Sequence, residues 1–591
     1  MQIQPKFPTA IEMLVSLEGC RKRGARFIDR SGEASFVTYH DLFSGIRATA
    51  GTFQRLKLGK MDRVAIILPT CVEFLHTFLG VQLAGGIPAA LYPPVRLGRL
   101  TEYFLRTRRM LNKIQARFLV TDARIKKLIG PAVEGVPSLE MVLDAGKLCG
   151  NDPWSPVEVD PDSPAFLQFS SGTTVEPRAV TISHTNLLYN IEMIAHFFRM
   201  LTDQEAKARQ GGVCWLPLYH DMGLVGCMYV GLYYPGTVTY IGPELFIARP
   251  RIWLQTLSRY RGVTSPAPNF AYGLCLAKIK DEDMQGVDLS SWEIAFNGAE
   301  PIDTEVMKRF CDRFARWGFR AEAMTPVYGL AEAGLAVSFS DPRRTPLVTE
   351  FDRDSLAAHG MAVPGKGRLL PSVGRPMPGL TVEIWDERDR PLEDSLVGRI
   401  MVRGPSITRG YFNDPEITAR TIRNGWLDTG DLGFRYRGDL YIAGRAKDLI
   451  IIRGRNYAPQ EIEELLAGVQ GIRTGCAVAV SQMVSGEGEQ LIILAERDAR
   501  STRADDAIAA EIRERIVSGI SLTPYHIEIL EPGTLPRTSS GKFRRGDALR
   551  MFQTGGLTPP DRVNTLKVLK EMGKSQIAWG RFWLRRKLGS D

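Results

Sequence analysis

Four hydroxyl residues surround one glycine, and a basic residue follows, in Ser170-Ser171-Gly172-Thr173-Thr174-Val175-Glu176-Pro177-Arg178. Backbone N–H and side-chain O–H groups in such a loop can surround a polyphosphate, with Arg178 adding positive charge. The loop lacks the Gly-Lys-Ser or Gly-Lys-Thr ending of a Walker loop. The near match at 360–367 has Gly367 where a hydroxyl would hold magnesium, so it reads as an ordinary loop. Further polar clusters follow in order: Asn297-Gly298-Ala299-Glu300-Pro301, Tyr328-Gly329-Leu330-Ala331-Glu332, Asp428-Thr429-Gly430-Asp431, Gly444-Arg445-Ala446-Lys447-Asp448, and 535–542 ending in Lys542.

These clusters punctuate short apolar runs that read as strands. Residues 164–169 feed the first loop, and 292–296 precede Asn297, which places a polar turn at a strand's carboxyl end, where open α/β sheets bind ligands. Residues 64–68, 118–121 and 179–182 are further strands, while 71–84 and 185–200 carry helical spacing. The expected build is an α/β domain with parallel sheet. After Thr381 the pattern becomes β-rich, and a last unit from 449 to about 551 alternates strands with helices.

At 591 residues the chain should split into at least two domains. Hydrophobic and charged fractions of 44% and 24% are those of a soluble globular protein. The eight cysteines form no Cys-x-x-Cys pair, which fits a reducing cytoplasm and indicates neither a disulfide framework nor a zinc site. No signal peptide opens the chain, and the apolar region 64–95 is broken by Pro69, Glu73 and His76, so it does not read as a membrane span. The net charge of +9 is concentrated from Asp561 onward, where eight basic residues face three acidic ones. There Leu566, Leu569, Met572, Ile577, Phe582 and Trp583 interleave with basic residues, a pattern suited to an acidic carrier or to peripheral contact with an anionic membrane. Nothing points to a nucleic-acid fold.

Taken together and in this order, the clusters resemble the adenylate-forming superfamily of acyl-CoA synthetases, amino-acid adenylation domains and luciferases, over about residues 10–550. The details are most similar to the fatty acyl-AMP ligases: 215–224 (Trp-Leu-Pro-Leu-Tyr-His-Asp-Met-Gly-Leu), 297–301 and 455–463 match their signatures. Residues 347–371 look like the insertion that separates these ligases from CoA-forming relatives.

The resemblance implies an adenylation domain over 1–446, a mobile carboxy-terminal domain over 447–551 and a basic tail over 552–591. It implies ATP and Mg2+ as cofactors. Ser171, Gly172, Thr173, Thr174 and Arg178 would hold the phosphates, and Thr173 and Glu332 the magnesium. Tyr328, Gly329 and Leu330, with Asn297, Gly298, Ala299 and Glu300, would flank adenine; Asp431 and Arg445 would meet the ribose. Lys542 would bridge the reacting carboxylate and the α-phosphate, His220 would border the acyl site, and Lys447 would be the hinge. The acceptor would be the phosphopantetheine arm of a separate acyl carrier protein. Two positions depart from the family pattern: Val175 replaces a glycine, and Arg178-Ala179 replaces Lys-Gly, exchanging a point charge for a planar fork. A fatty acyl-CoA synthetase and a catalytically impaired nucleotide- or lipid-binding scaffold remain as alternatives. The retained Glu332, Asp431 and Lys542 weigh against the scaffold. No Phe-Asp pair near 219–221 supplies an amino-group anchor, which weighs against amino-acid adenylation.

Overall fold

Val64 and Ile66 face one core while Ala65 and Ile67 face another, the period-two alternation of a strand covered on both sides. That strand, Arg63–Ile67, is central in a six-stranded sheet ordered Met141–Asp144, Phe118–Thr121, Arg63–Ile67, Ile87–Ala90, Pro164–Phe169, Ala179–Ser183. The pairings are parallel except the last, which is antiparallel. The computed structural model describes residues 3–94, 97–170, 177–201, 211–452, 455–484, 488–538, 541–561 and 565–588.

A second, nine-stranded sheet has the parallel strands Gly212–Cys214, Thr264–Ala267, Ile294–Asn297 and Met324–Leu330 near its middle. The helices Tyr39–Arg55 and Val72–Leu83 contribute Phe53, Phe74 and Phe78 to a core shared with both sheets. The rings of Phe78, Phe166 and Tyr229 lie 5.9–6.4 Å apart, so the strand leading into the hydroxyl-rich loop is fixed by aromatic packing. No helix is long and apolar enough to cross a membrane among the described residues.

The β-rich region is a five-stranded antiparallel sheet that includes Gly398–Arg403, Trp426–Tyr436 and Asp439–Arg445. Residues 347–371 are an ordered hairpin, Val348–Asp352 paired with Gly367–Pro371, with the helix Arg353–His359 between. Phe351 holds the hairpin down, packing edge-on against Phe434, Tyr436 and Tyr441 at 5.0–5.4 Å. The Gly360 to Gly367 stretch belongs to this hairpin, as the loop between the helix and the second strand.

Residues 450–530 have a separate core, in which Ile508, Ile512 and Ile516 line one face of the helix Asp505–Ile520 at fourfold spacing. The hairpin reaches this unit: Arg353 pairs with the buried Glu461 at 2.6 Å and donates to the Gly519 carbonyl, and Arg455 pairs with Asp354 at 2.7 Å.

The tail folds back. Its helix Thr565–Leu588 lies against Gly130–Val133 of the large body. Gly130 N–H donates to Ser575 Oγ (2.9 Å) and Trp579 Nε1 to the Lys126 carbonyl (3.0 Å). A Cβ on Gly130 would sit 2.3 Å from the Ser575 carbonyl oxygen, so only glycine permits this approach. The apolar set read from the tail sequence is thereby divided. Phe582 is buried in the six-stranded sheet's core, whereas Leu569, Ile577 and Trp583 remain outside.

Candidate functional site

A cavity of about 2200 Å³ runs between the nine-stranded sheet, the β-rich sheet and the carboxy-terminal unit. Its polar end collects residues that are far apart in sequence. The strand Pro164–Phe169 ends at Ser170, whose N–H donates to the Arg178 carbonyl (3.1 Å) and closes the base of the loop. Ser170 and Arg178 line the cavity. Ser171, Gly172, Thr173, Thr174 and Val175 lie outside the described residues, so their expected roles rest on sequence.

Beside Arg178, the strand Ala179–Ser183 is stitched to 410–412: Thr181 N–H donates to the Gly410 carbonyl (3.0 Å) and Phe412 N–H to the Ala179 carbonyl (2.8 Å). This delivers Tyr411, whose hydroxyl donates to Glu332 Oε1 at 2.9 Å and whose ring lies 5.9 Å from the Arg178 guanidinium. The planar guanidinium suits an aromatic neighbour better than a lysine would, a physical reason for the arginine found here. Desolvation pushes the Glu332 carboxyl above its ordinary range, against the pull of the Tyr411 hydrogen bond and of Arg445. Sequence reading missed Tyr411, which stands 79 residues from its partner.

Asp431 and Arg445 face each other across antiparallel strands, Trp426–Tyr436 and Asp439–Arg445. Asp431 Oδ1 pairs with Arg445 Nε at 2.8 Å, and Oδ2 accepts from the Tyr328 hydroxyl at 2.7 Å. The Asp431 side chain is 7% exposed and that of Arg445 47%. Burial raises the Asp431 pKa, with Arg445 and Tyr328 opposing. Gly329 and Leu330 line the cavity beside Tyr328.

The turn after Ile294–Asn297 behaves differently from the sequence expectation. Asn297 is fully buried, donating to Asn269 Oδ1 at 3.2 Å, and a Cβ on Gly298 would lie 2.6 Å from Val327 Cγ2. Neither lines the cavity; Ala299 and Glu300 do. Asn297 and Gly298 instead set the strand end, so that of this turn only Ala299 and Glu300 join Tyr328, Gly329 and Leu330 at the cavity wall. Ala299 has φ +67°, a left-handed strain of roughly 1–2 kcal/mol, and Glu300 Oε1 accepts from Phe270 N–H at 2.6 Å.

His220 caps the short helix Asp221–Gly223, which runs into the π-helical segment Leu224–Tyr229. Its Nδ1 lies 2.7 Å from Asp221 Oδ1, and Gln168 Nε2 donates to the Tyr219 carbonyl at 2.9 Å, tying this segment to the loop-bearing strand. Asp221 is a second residue not singled out beforehand, although its position beside His220 was a usable signal. Burial acts to raise its carboxyl, but His220 and Lys542 outweigh it and the net shift is downward.

Lys542 enters the cavity from the carboxy-terminal unit, held by a turn in which its N–H donates to Thr538 Oγ1 (3.0 Å) and Thr538 N–H donates to its carbonyl (2.8 Å). Desolvation lowers the Lys542 pKa, partly offset by the negative charges of Asp221, Glu300 and Asp431. Lys447 sits on the one-turn connection Ala446–Asp448 between the two bodies, its pKa lowered by burial. The same cavity is lined by a cluster of apolar residues, among them Ile194, Phe198, Phe296, Leu335 and Phe339.

A family model described as AMP-binding enzyme matches residues 18–412. The chain is 32% identical over 583 residues to the medium-chain-fatty-acid–[acyl-carrier-protein] ligase JamA of Moorena producens, covering 94% of this chain and 96% of that protein. It is 32% identical over 555 residues to the long-chain-fatty-acid–AMP ligase FadD28 of Mycobacterium tuberculosis, covering 89% and 93%. A solved structure from work on the fatty acyl-adenylate ligases of E. coli and L. pneumophila superposes with a TM-score of 0.87 at 34% identity, covering 93% of this chain and 98% of that one.

Proposed function

The chain belongs to the AMP-binding enzyme family, in its fatty acyl-AMP ligase branch, and we propose that it adenylates a fatty acid and hands the acyl group to a carrier-protein thiol. In the first step a carboxylate oxygen attacks the α-phosphorus of ATP, the bond to the bridging oxygen breaks, and pyrophosphate leaves. In the second, a phosphopantetheine sulfur attacks the acyl carbon of the mixed anhydride and AMP leaves. The observation that carries this reading is the convergence of Lys542, from one body, with Asp431, Glu332 and His220, from the other, in one cavity that the apolar cluster also lines.

Each group fits its part. Asp431 keeps lone pairs beyond those taken by Tyr328 and Arg445 for accepting ribose hydroxyls. Lys542 brings a cation to a point where two anions must approach. Glu332 is a carboxylate enclosed with one hydroxyl donor, a fitting ligand for Mg2+, which would neutralise charge on the departing pyrophosphate. Phe198, Phe296 and Phe339 offer an apolar wall to an alkyl chain.

Transfer requires Lys542 to leave the cleft, so the carboxy-terminal unit is the mobile one, turning at Lys447. The hairpin 348–371 braces that unit through Arg353 and Glu461, and the likeness to carrier-loading ligases supports the carrier over free CoA as acceptor. The deciding experiment is pyrophosphate release across a fatty-acid panel, followed by mass analysis with holo-carrier or CoA; acyl-CoA as the main product would replace the carrier reading with the synthetase one. Arg353→Ala leaves Glu461 without its cation, and limited proteolysis near Lys447 should speed up about fivefold, as for the loss of roughly 1 kcal/mol. Unchanged cleavage would show that the brace does not restrain the unit. His220→Ala should lower adenylation roughly tenfold or more with the fold intact by circular dichroism; unchanged acyl-AMP formation would remove it from the site.

A further inference from the structure

We propose that the outward face of the helix Thr565–Leu588 docks the protein on an anionic lipid surface. The helix is fixed by its inner face, where Ser575, Ala578 and Phe582 are buried, Arg586 donates to the Leu139 carbonyl and Arg581 pairs with Glu134 at 3.3 Å. The opposite face carries Leu569, Ile577, Trp583 and Leu584 at 45–60% exposure. Leu569, Ile577 and Leu584 repeat at eight- and seven-residue steps, which lines them along one stripe of roughly 22 Å. Lys570, Lys574 and Arg585 stand exposed beside that stripe. The single carboxylate within 568–586, Glu571, is buried and paired with Lys574 at 2.6 Å, so this face offers cations and bulk hydrocarbon and no exposed acid.

Charge complementarity selects an anionic partner, and large apolar side chains spread between the cations select a lipid interface over an acidic protein surface that needs cations alone. Trp583 is the residue type that settles at such an interface. The helix is anchored to the six-stranded-sheet body and not to the unit bearing Lys542, so attachment there leaves that unit free to turn.

The test uses the full chain with phosphatidylcholine vesicles, with and without phosphatidylglycerol. Sedimentation with the phosphatidylglycerol vesicles and release by salt are expected. Both Ile577→Glu/Leu584→Glu and Lys570→Glu/Arg585→Glu should lower vesicle affinity at least about tenfold, while pyrophosphate release with a soluble short-chain acid stays at the wild-type level. Wild-type protein that remains in the supernatant with both vesicle types would overturn the proposal. Variants that sediment as wild type would overturn it too, as would a raised carrier KM in the variants with vesicle binding unchanged, which would assign the face to the carrier. Absence of pyrophosphate release in the wild type would instead strike the ligase reading.

Discussion

Lys542→Ala should lower the rate of acyl-AMP formation by roughly 10²–10³-fold, the scale for removing one preorganised donor from a charge-developing transition state, while leaving the fold intact. Lys542 is held by its turn with Thr538 and faces Asp221, Glu300 and Asp431 across the cleft. On the proposed mechanism its ammonium meets the carboxylate and α-phosphate oxygens there. If its role is confined to adenylation, acyl transfer from supplied acyl-adenylate to holo-carrier should be changed only a few-fold. Equal loss in both half-reactions would refute that division. Desolvation lowers the Lys542 pKa, so its charge is lost at lower pH than that of a free lysine. The alkaline limb of kcat/KM, which reports the free enzyme, should fall below the ordinary lysine value of about 10.4. Lys542→Arg should move that limb upward, because a guanidinium stays charged throughout.

Asp431→Asn separates binding from stability. The substitution keeps an acceptor for the Tyr328 hydroxyl but removes the charge facing Arg445 and the ribose. Charge-assisted hydrogen bonds contribute about 1.5–3 kcal/mol, so kcat/KM for ATP should fall roughly 10- to 100-fold, chiefly through KM. The ligand-free protein should not lose stability. The Asp431 pKa is raised in the folded state, so the folded form binds this proton more tightly than the unfolded chain. Its stabilising effect is present below the unfolded pKa and is lost as pH rises through the folded one. At neutral pH the ionised group is therefore a net cost that asparagine removes. Thermal unfolding should show an unchanged or higher Tm without ligand and a smaller rise on adding ATP. A large fall in the ligand-free Tm would mean that the Arg445 pair outweighs burial.

These effects depend on contacts of unequal legibility in the sequence. Glu332, Asp431, Arg445 and Lys542 could be singled out because each sits in a short motif with its own spacing, and the structure brings all four to one cavity. Motif reasoning alone did not say whether Asn297 and Gly298 line the cleft. A polar dipeptide after an apolar strand looks alike whether it lines a cleft or closes a strand end, and only the neighbouring Asn269 and Val327 decide. Tyr411 was invisible because its role arises from a bridge between Val180 and Tyr411, a pairing of distant segments that leaves no local periodicity.

The tail shows the division most clearly. Composition and the interleaving of apolar with basic residues determined a basic, amphipathic tail. They did not determine which apolar residues it hides, since a helix with apolar residues on more than one side can bury any of them. Close packing settled it: Gly130 lets the backbone of Ser575 approach, Phe582 fills the sheet's core, and Leu569, Ile577 and Leu584 are left facing outward. By itself the sequence determined the alternation of elements, the order of the motifs and hence the chemistry they resemble, because those are short-range patterns written in residue type and spacing. Tertiary structure alone decided which side chains meet, how desolvation shifts Glu332, Asp431 and Lys542, and which face of the tail is free, because burial and charge proximity are properties of segments brought together from across the chain.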